Sequence, residues 1–533
     1  MNILATLSKP RHQSKIAGAA TLFAFTLATG MEQWTGNGLS VILTDITGAL
    51  GSSADEASWA VTLYSTGFAT SVALTHRMAS LLGNRRLLSF ACLLYAIASL
   101  GCAGSTTLGP FLVFRVIQGF AGGVFLARTL VFITHQYPRS ERALGLRIYA
   151  VGFFILGRFA APIAAGWLAD FVSWRLLFVG AVPGMLIAGA VFDRYAAKHW
   201  SEDVEEHKPD LLGIGLLLTG VAAFQAVLSR GEIDDWFGSN RIVVLAVVGI
   251  ACNLLFPAWQ LVPANRKPLL NLRFLHDRGL MAATVLGTVL GMQLAGSLYV
   301  LPQYLRRVES HSALQTGVLM SISGISGIAM LAVVPHMARL IGRLGGKTVM
   351  AFALFVQMLS MGWLGYIITG DTPDRQLWLP LLLNGMFVGI SVPTLALAAF
   401  IRMEDAQASS ARAIYYGARQ LGASLGVTFV VALIDRRATL HSSRLIESLF
   451  SRNLSTLGVT IDSSNAGRVA ALVSKQSLVL TFADVFYVMA AVAAVMLLFL
   501  PLLPSAPMAV VPAESASTET RPQMTLSPIE SNV

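Results

Sequence analysis

The chain has 533 residues, of which 55% are hydrophobic and only 12% charged, with a formal net charge of +10 at pH 7 and a mean hydropathy of +0.66. A soluble globular protein carries about 25% charged residues, so half that share leaves too little polar surface to face water and makes lipid the solvent for most of the chain. A cytosolic enzyme, a secreted module and a disordered tail protein are excluded, and nucleic-acid binding is a poor reading because the bases fall in short clusters between apolar runs.

A helix that crosses a hydrocarbon core of about 30 Å needs about 20 mostly apolar residues. Fourteen stretches qualify, near 17–43, 57–76, 88–107, 109–131, 144–167, 173–193, 211–229, 241–262, 279–301, 313–337, 348–369, 377–400, 408–434 and 480–503. The first follows Lys9, Arg11 and Lys15, but its apolar character runs too far for a signal peptide and further spans follow. Cys92, Cys102 and Cys252 sit inside apolar runs without metal-ligand spacing and read as small core residues. The expected fold class is therefore an all-α integral membrane protein with 14 transmembrane helices.

Alternate connections carry the bases: Arg77, Arg85 and Arg86, then Arg139, Arg142 and Arg147, then Arg194, Lys198 and Lys208, then Arg266 and Lys267, then Arg339, Arg343 and Lys347. The others carry Asp45, Asp55 and Glu56, then Asp170, then Glu232, Asp234 and Asp235, then Asp371 and Asp374. The positive-inside rule places the first set, and both termini, in the cytoplasm. Met78-Ala79-Ser80-Leu81-Leu82-Gly83 and Met337-Ala338-Arg339-Leu340-Ile341-Gly342 look like one motif used twice, each after the second helix of a six-helix set. Two parallel repeats of this kind are a transporter architecture. The expected units are a six-helix bundle over 1–195, an inserted two-helix region over 196–278 and a second six-helix bundle over 279–504. The second bundle carries a periplasmic loop at 435–479, helically patterned at Leu440, Leu445, Ile446 and Leu449; a disordered cytoplasmic tail rich in Ser, Pro, Thr and Glu follows at 505–533.

Ionisable groups within hydrocarbon cost a few kcal/mol by insertion scales (on the order of 3) and are functional candidates by default. Counting along ideal helices places Glu32 about 4 Å, Arg115 about 9 Å and Arg158 about 3 Å outward of the midplane, so the three can meet in one layer. They read either as a structural ion pair clamping the bundle or as a proton-coupling carboxylate tuned by Arg. Arg419 falls about 4 Å inward with no acid on a neighbouring run, which suggests an anionic or polar ligand or carbonyl partners. Arg128, near a helix end, can snorkel and receives no role. Asn37, Gln118, Gln293, Asn384, Tyr416 and Gln420 are weaker candidates, since such groups more often join helices than hold ligands. The glycines of Gly119–Gly123 and Gly422–Gly426 read as close helix packing.

These residues carry a resemblance. Arg115-Val116-Ile117-Gln118-Gly119, Gly157-Arg158-Phe159-Ala160-Ala161-Pro162, Ser173-Trp174-Arg175, Arg230-Gly231 with Asp235-Trp236-Phe237, and Ala408-Ser409-Ser410 through Arg419-Gln420 occur in order. Over nearly its whole length the chain resembles the fourteen-spanner drug:proton antiporter branch of the major facilitator superfamily, the EmrB-like multidrug exporters. The resemblance implies the major facilitator fold, with two six-helix bundles plus two inserted helices. It also implies an inner-membrane antiporter that draws on the proton gradient without a cofactor, and a periplasmic adaptor and outer-membrane channel as partners. The proton-coupling residues are then Glu32 and Arg115, and the antiporter motif is Gly157, Ala161, Pro162 and Gly166, with Ala161 in place of a second Gly. A substrate cavity is expected from Trp34, Asn37, Gln118, Phe153, Arg158, Met292, Gln293, Tyr299, Asn384, Tyr416, Arg419 and Gln420.

The departures are informative. The family's Asp-x-Thr-x-x-Asn on the first helix reads Glu32-Gln33-Trp34-Thr35-Gly36-Asn37, keeping an acid and the Asn at the same spacing. In the second loop the gating Asp is Ser80, leaving Gly83, Arg85 and Arg86 as the cytoplasmic-gate candidates. Arg158 is unusual within the antiporter motif and turns substrate choice toward anions. Gly345-Gly346-Lys347-Thr348 lacks the earlier Gly and the strand of a phosphate loop, and Asn453-Leu454-Ser455 fits a glycosylation acceptor only as a common chance triplet. The nine histidines form no metal-ligating cluster, so no metal and no membrane-enzyme chemistry is expected. The function expected is proton-coupled export of lipophilic small molecules by alternating access. The alternative is a symporter importing a metabolite or siderophore-like compound.

Overall fold

The computed structural model describes residues 15–138, 141–198, 210–231, 236–262, 272–400, 405–451 and 466–503, together with 234, 265 and 268. The segments carrying Lys9, Arg11, Glu232, Asp235, Arg266, Lys267, Asn453 and the tail 505–533 lie outside the described residues, as do the side chains of Arg339 and Arg343.

Every expected apolar stretch is helical, and no strand occurs among the described residues. In chain order the helices are α1 (Lys15–Leu50), α2 (Ala54–Leu82), α3 (Asn84–Gly104), α4 (Leu108–Gln136), α5 (Arg142–Val151, π-helical Gly152–Ala160, then Ala161–Phe171) and α6 (Leu176–Tyr195). The inserted pair is α7 (Leu211–Arg230) and α8 (Asn240–Leu261). The second set is α9 (Arg278–Arg307), α10 (Ala313–Leu344), α11 (Gly346–Ile367), α12 (Asp374–Phe400), α13 (Asp405–Ser451) and α14 (Ala466–Phe499). Eleven helices among the described residues are long and apolar enough to cross a membrane. The remaining three are α1 and α2, whose polar residues dilute them, and α7, whose apolar run covers Leu211–Phe224.

The two sets pack alike. Second helix lies on fourth (α2 on α4, α10 on α12), third on sixth (α3 on α6, α11 on α14) and first on fifth (α1 on α5, α9 on α13). Between the sets, α2 meets α13 and α5 meets α10, second helix on fifth in both cases. That reciprocity is the contact pattern of two parallel repeats about an axis along the bundle. The turn glycines repeat too: Gly83 stands between α2 and α3 at φ 75°, ψ 151°, and Gly345 between α10 and α11 at φ 81°, ψ 150°. These positive φ values are open to Gly at no steric cost. Pairing Met78 with Met337 equates Gly83 with Gly342, but the turn falls three residues later, about one helical turn.

Because lipid tails are as apolar as Leu, helices in a membrane associate through close packing of small residues. Gly67, Gly119 and Gly123 lie against backbone oxygens across the α2–α4 contact, and Gly291, Gly422 and Gly426 do the same between α9 and α13. A methyl group at any of these positions would meet backbone that cannot turn aside. α7 and α8 pack on each other, and α7 rests across the α2–α13 contact. Asp210 anchors this pair, accepting from Gly213 N (2.8 Å), Trp259 Nε1 (2.9 Å), Gln260 Nε2 (2.9 Å) and Asn265 Nδ2 (3.2 Å).

Three sequence-based expectations need correction. The stretch 435–479 is not a loop over most of its length: α13 continues to Ser451 and α14 begins at Ala466. The two extensions pair through His441 to Asp484 (2.9 Å) and Ser477 Oγ to the Ala438 carbonyl (2.8 Å), while Ile446 of the apolar pattern stays exposed. Arg128 does not snorkel; it is 1% exposed inside the first set. The third concerns Glu32 and Arg115.

Candidate proton and substrate site

Glu32, midway along α1, is 6% exposed. Its Oε1 accepts from the Tyr64 hydroxyl of α2 at 2.5 Å and its Oε2 from Gln33 Nε2 at 2.6 Å, while Gln33 Oε1 accepts from Asn37 Nδ2 at 3.4 Å. Both carboxylate oxygens are thus served by donors, an arrangement fitted to the ionised form. Arg115 was expected beside Glu32, but no ion pair within 4.0 Å joins them. Its Nε donates to the Ala60 carbonyl (3.1 Å) and its Nη1 to Gln118 Oε1 (2.5 Å), and Gln118 Nε2 continues to Ser99 Oγ (2.7 Å). The guanidinium lies 4.2 Å from the centroid of the Tyr64 ring. Tyr64 therefore stands between the acid and the base, giving its hydroxyl to one and its ring face to the other.

Glu32 also lies within the electrostatic reach of Arg419, on α13 of the other set. No ion pair within 4.0 Å joins the two, and this longer-range relation across the contact between the sets is invisible to a search along neighbouring runs. The Arg419 guanidinium sits 5.2 Å from the Tyr416 ring, which packs edge-on to Tyr415 at 5.0 Å between centroids. Tyr149 of α5 joins the group, accepting from Thr29 Oγ1 at 3.2 Å, and Tyr95 of α3 meets Thr35 at 2.5 Å. Sequence reasoning passed over Tyr64, Tyr95 and Tyr149; the available signal was a hydroxyl-bearing ring at membrane depth on three helices of one set.

The antiporter motif lies on the other contact between the sets. Gly166 abuts the Ala313 carbonyl, Gly317 abuts that of Pro162, Gly324 abuts that of Arg158, and Gly327 faces the Phe154 ring. Ala161, which replaces a glycine, is fully buried. Beyond this contact the sets are tied at one end of the molecule: Arg306 Nη2 of α9 meets Asp45 Oδ1 of α1 at 2.5 Å, and Asp170 of α5 accepts from the first amides of α10, Ala313 N (3.1 Å) and Leu314 N (2.8 Å). Nearby, Arg158 and Asn384 line a small cleft with Ser297, Ser323, Met320 and Phe486.

The other expected cavity residues are dispersed. Trp34 Nε1 donates to the Leu177 carbonyl (3.1 Å) and Gln293 Nε2 to the Met489 carbonyl (2.6 Å), so both join helices within their own set. Asn384 Nδ2 donates to Gln357 Oε1 (3.2 Å). Met292 backs onto Gly426, Tyr299 is 5% exposed in the core, and Phe153 packs on Phe154 with centroids 5.0 Å apart. Gln420 is half-buried on α13. Among the residues expected at a gate, Arg85 forms a two-pronged pair with Asp193 (3.1 and 3.2 Å) and Arg86 is exposed, while Ser80 Oγ turns back to the Arg77 carbonyl (2.8 Å). Lys347 donates to the Pro501 carbonyl (2.8 Å), a tie between helix ends. No group of metal-ligating side chains occurs among the described residues.

The sequence profile described as Major Facilitator Superfamily matches residues 21–427. The chain is similar to the multidrug export protein EmrB of Escherichia coli, 25% identical over 495 residues that cover 90% of this chain and 95% of the relative. It is also similar to the probable multidrug resistance protein EmrY of the same organism, 26% identical over 431 residues, covering 80% and 82%. Among solved structures, a POT family transporter in complex with 5-aminolevulinic acid superposes with a TM-score of 0.64 at 13% identity, covering 93% of this chain and 96% of that one, a likeness of fold alone.

Proposed function

Because the chain belongs to the Major Facilitator Superfamily, a multi-pass membrane transporter family rather than an enzyme family, we propose that it is a proton-coupled exporter of lipophilic small molecules. The observation that carries this reading is Glu32, a buried acid bonded to Tyr64, whose ring lies under Arg115 of the same bundle and whose helix α2 packs on α13, the helix of Arg419 in the other bundle. Arg115 is bonded in place and moves with Glu32. Arg419 does not. Rocking of the bundles therefore changes the field at Glu32, and with it the balance between its charged and neutral forms. When Glu32 takes a proton, the Tyr64 hydroxyl can turn from donor to acceptor without moving its ring.

In this reading residues 1–195 and 279–504 are the rocking bundles and 196–278 the inserted pair. Both termini face the cytoplasm of an inner-membrane protein, and the Asp45–Arg306 end faces outward and is closed. Export rather than import is favoured by the relatives' printed names. The paired extensions of α13 and α14 project on the outer side, where a periplasmic adaptor leading to an outer-membrane channel has a surface to meet. The proton gradient supplies the drive, and no cofactor or nucleic acid takes part.

Everted vesicles test the direction. An exporter accumulates a neutral lipophilic dye such as N-phenyl-1-naphthylamine when the lumen is acidified and releases it when the gradient collapses. A symporter importing its substrate shows no such accumulation, and that result overturns the proposal.

A further inference from the structure

Arg158 is 6% exposed, yet its guanidinium makes no hydrogen bond or ion pair with any described residue. It lies in the π-helical stretch Gly152–Ala160, a distortion that occurs often at functional sites. It also reaches from the first bundle into a small cleft whose other lining residues belong to the second, among them the polar Ser297, Ser323 and Asn384 and the apolar Met320, Leu381 and Phe486. A buried guanidinium with five donors and no acceptor is costly to keep unless something else completes it. The seam explains why it persists: Gly324 of α10 lies on the Arg158 carbonyl, so the backbone is fixed by packing and the side chain is left to the cleft.

We infer that Arg158 is the specificity-determining residue of this transporter, holding the oxyanion head of an amphipathic organic anion whose apolar body lies among Met320, Leu381 and Phe486. The inference rests on the transport reading above and names its substrate class. In the closed state the cleft has room for little more than a water molecule, so the ligand enters when the bundles part. The planar fork of Arg suits a carboxylate or sulfonate through two parallel hydrogen bonds; the Ser297 and Ser323 hydroxyls are already given to the Leu294 and Met320 carbonyls and Asn384 Nδ2 bonds Gln357, so the guanidinium supplies the anion's principal donors. A lipophilic cation finds no acid in this cleft.

The test is binding of 2-naphthalenesulfonate, its neutral sulfonamide and sodium sulfate to the purified full-length protein, by calorimetry in detergent. Wild-type protein is expected to bind the sulfonate at least tenfold more tightly than the sulfonamide and to ignore sulfate. Arg158→Gln should erase the preference and Arg158→Lys should keep part of it. Equal affinity for sulfonate and sulfonamide in the wild type overturns the inference without need of any variant, as does an unchanged preference in Arg158→Gln. Binding of sulfate as tight as that of the sulfonate would reduce the site to one for inorganic anions and overturn it likewise. Proton-driven uptake by the wild type is read separately: anion preference without uptake sinks the transport reading alone, and uptake without anion preference sinks this inference alone.

Discussion

The Tyr64 hydroxyl donates to Glu32 Oε1 at 2.5 Å, and this bond joins α2 to the one acid at mid-depth of α1. Replacing Glu32 by Gln fixes a neutral group of the same shape. Gradient-driven transport should stop while substrate exchange persists, and Glu32→Asp should retain part of the drive. Tyr64→Phe keeps the ring under Arg115 but removes the donor. A hydrogen bond to a charged group is worth about 1.5–3 kcal/mol, so coupled transport should fall about tenfold or more. Proton-driven uptake in proteoliposomes, normalised to inserted protein, measures all three. Full activity in Glu32→Gln would leave Glu32 as a clamp between helices.

The proposed coupling takes its dependence on bundle position from Arg419 and a constant field from Arg115. Arg419→Gln should therefore depress proton-driven accumulation more than it depresses exchange, with Arg419→Lys intermediate. Arg115→Ala should also lower folded yield, because it strips the Ala60 carbonyl and Gln118 of their shared partner. The ratio of accumulation to exchange in each variant decides the matter. Equal loss of both activities in Arg419→Gln would place Arg419 in substrate binding alone.

Much of this was legible in the residues, and what was not has a physical reason. Apolar runs of membrane length mark where helices must lie, because lipid leaves the backbone no other partner. Glu32 was conspicuous for the same reason. Depth counting along separate helices put Arg115 and Arg158 near it but carries no information on azimuth. Arg115 proved to face Tyr64 and Arg158 to face the cleft. Arg419 lay on a distant run, and only the α2–α13 contact brings it to Glu32. The α13 extension reads as loop in the sequence because its composition turns polar after Ile434, and a helix outside the membrane has no apolar signature to keep.

Asp210 supplies a pH-dependent contribution to the inserted pair. Burial raises its affinity for a proton, but the Trp259, Gly213, Gln260 and Asn265 donors outweigh that and hold its carboxyl below the ordinary value of 3.8. With the folded value lowered, the stabilisation is fully present above that ordinary value and is lost as pH falls through the folded one. Thermal unfolding of the purified protein should be flat from pH 7 to about 5 for this contribution and decline on further acidification. Asp210→Asn should lower the melting temperature at pH 7, since its amide turns a donor toward Gln260 and Asn265, and should flatten the acid limb. An acid limb as steep as the wild type's would assign it to other carboxylates.

The Asp45–Arg306 pair joins the two sets at one end, and in the proposed alternating-access cycle it is a latch whose strength sets how easily that end opens. The side chains are 28% and 13% exposed, so the pair is partly screened and worth about 1 kcal/mol. Removing it should raise the open-to-closed ratio about fivefold, because only a differential interaction between the two states shifts their balance. Asp170 would remain on the α10 amides, so the end should loosen without the bundles coming apart. Spin labels at Ala49→Cys and Val318→Cys, on opposite bundles near this end and away from both contacts, report the distance. Wild-type protein should give one short distance, and Asp45→Asn a second, longer component. Arg306→Gln should match Asp45→Asn, and the two together should add little, since each already breaks the same bond. Additive effects, or a single short distance in every variant, would mean that the pair does not govern opening.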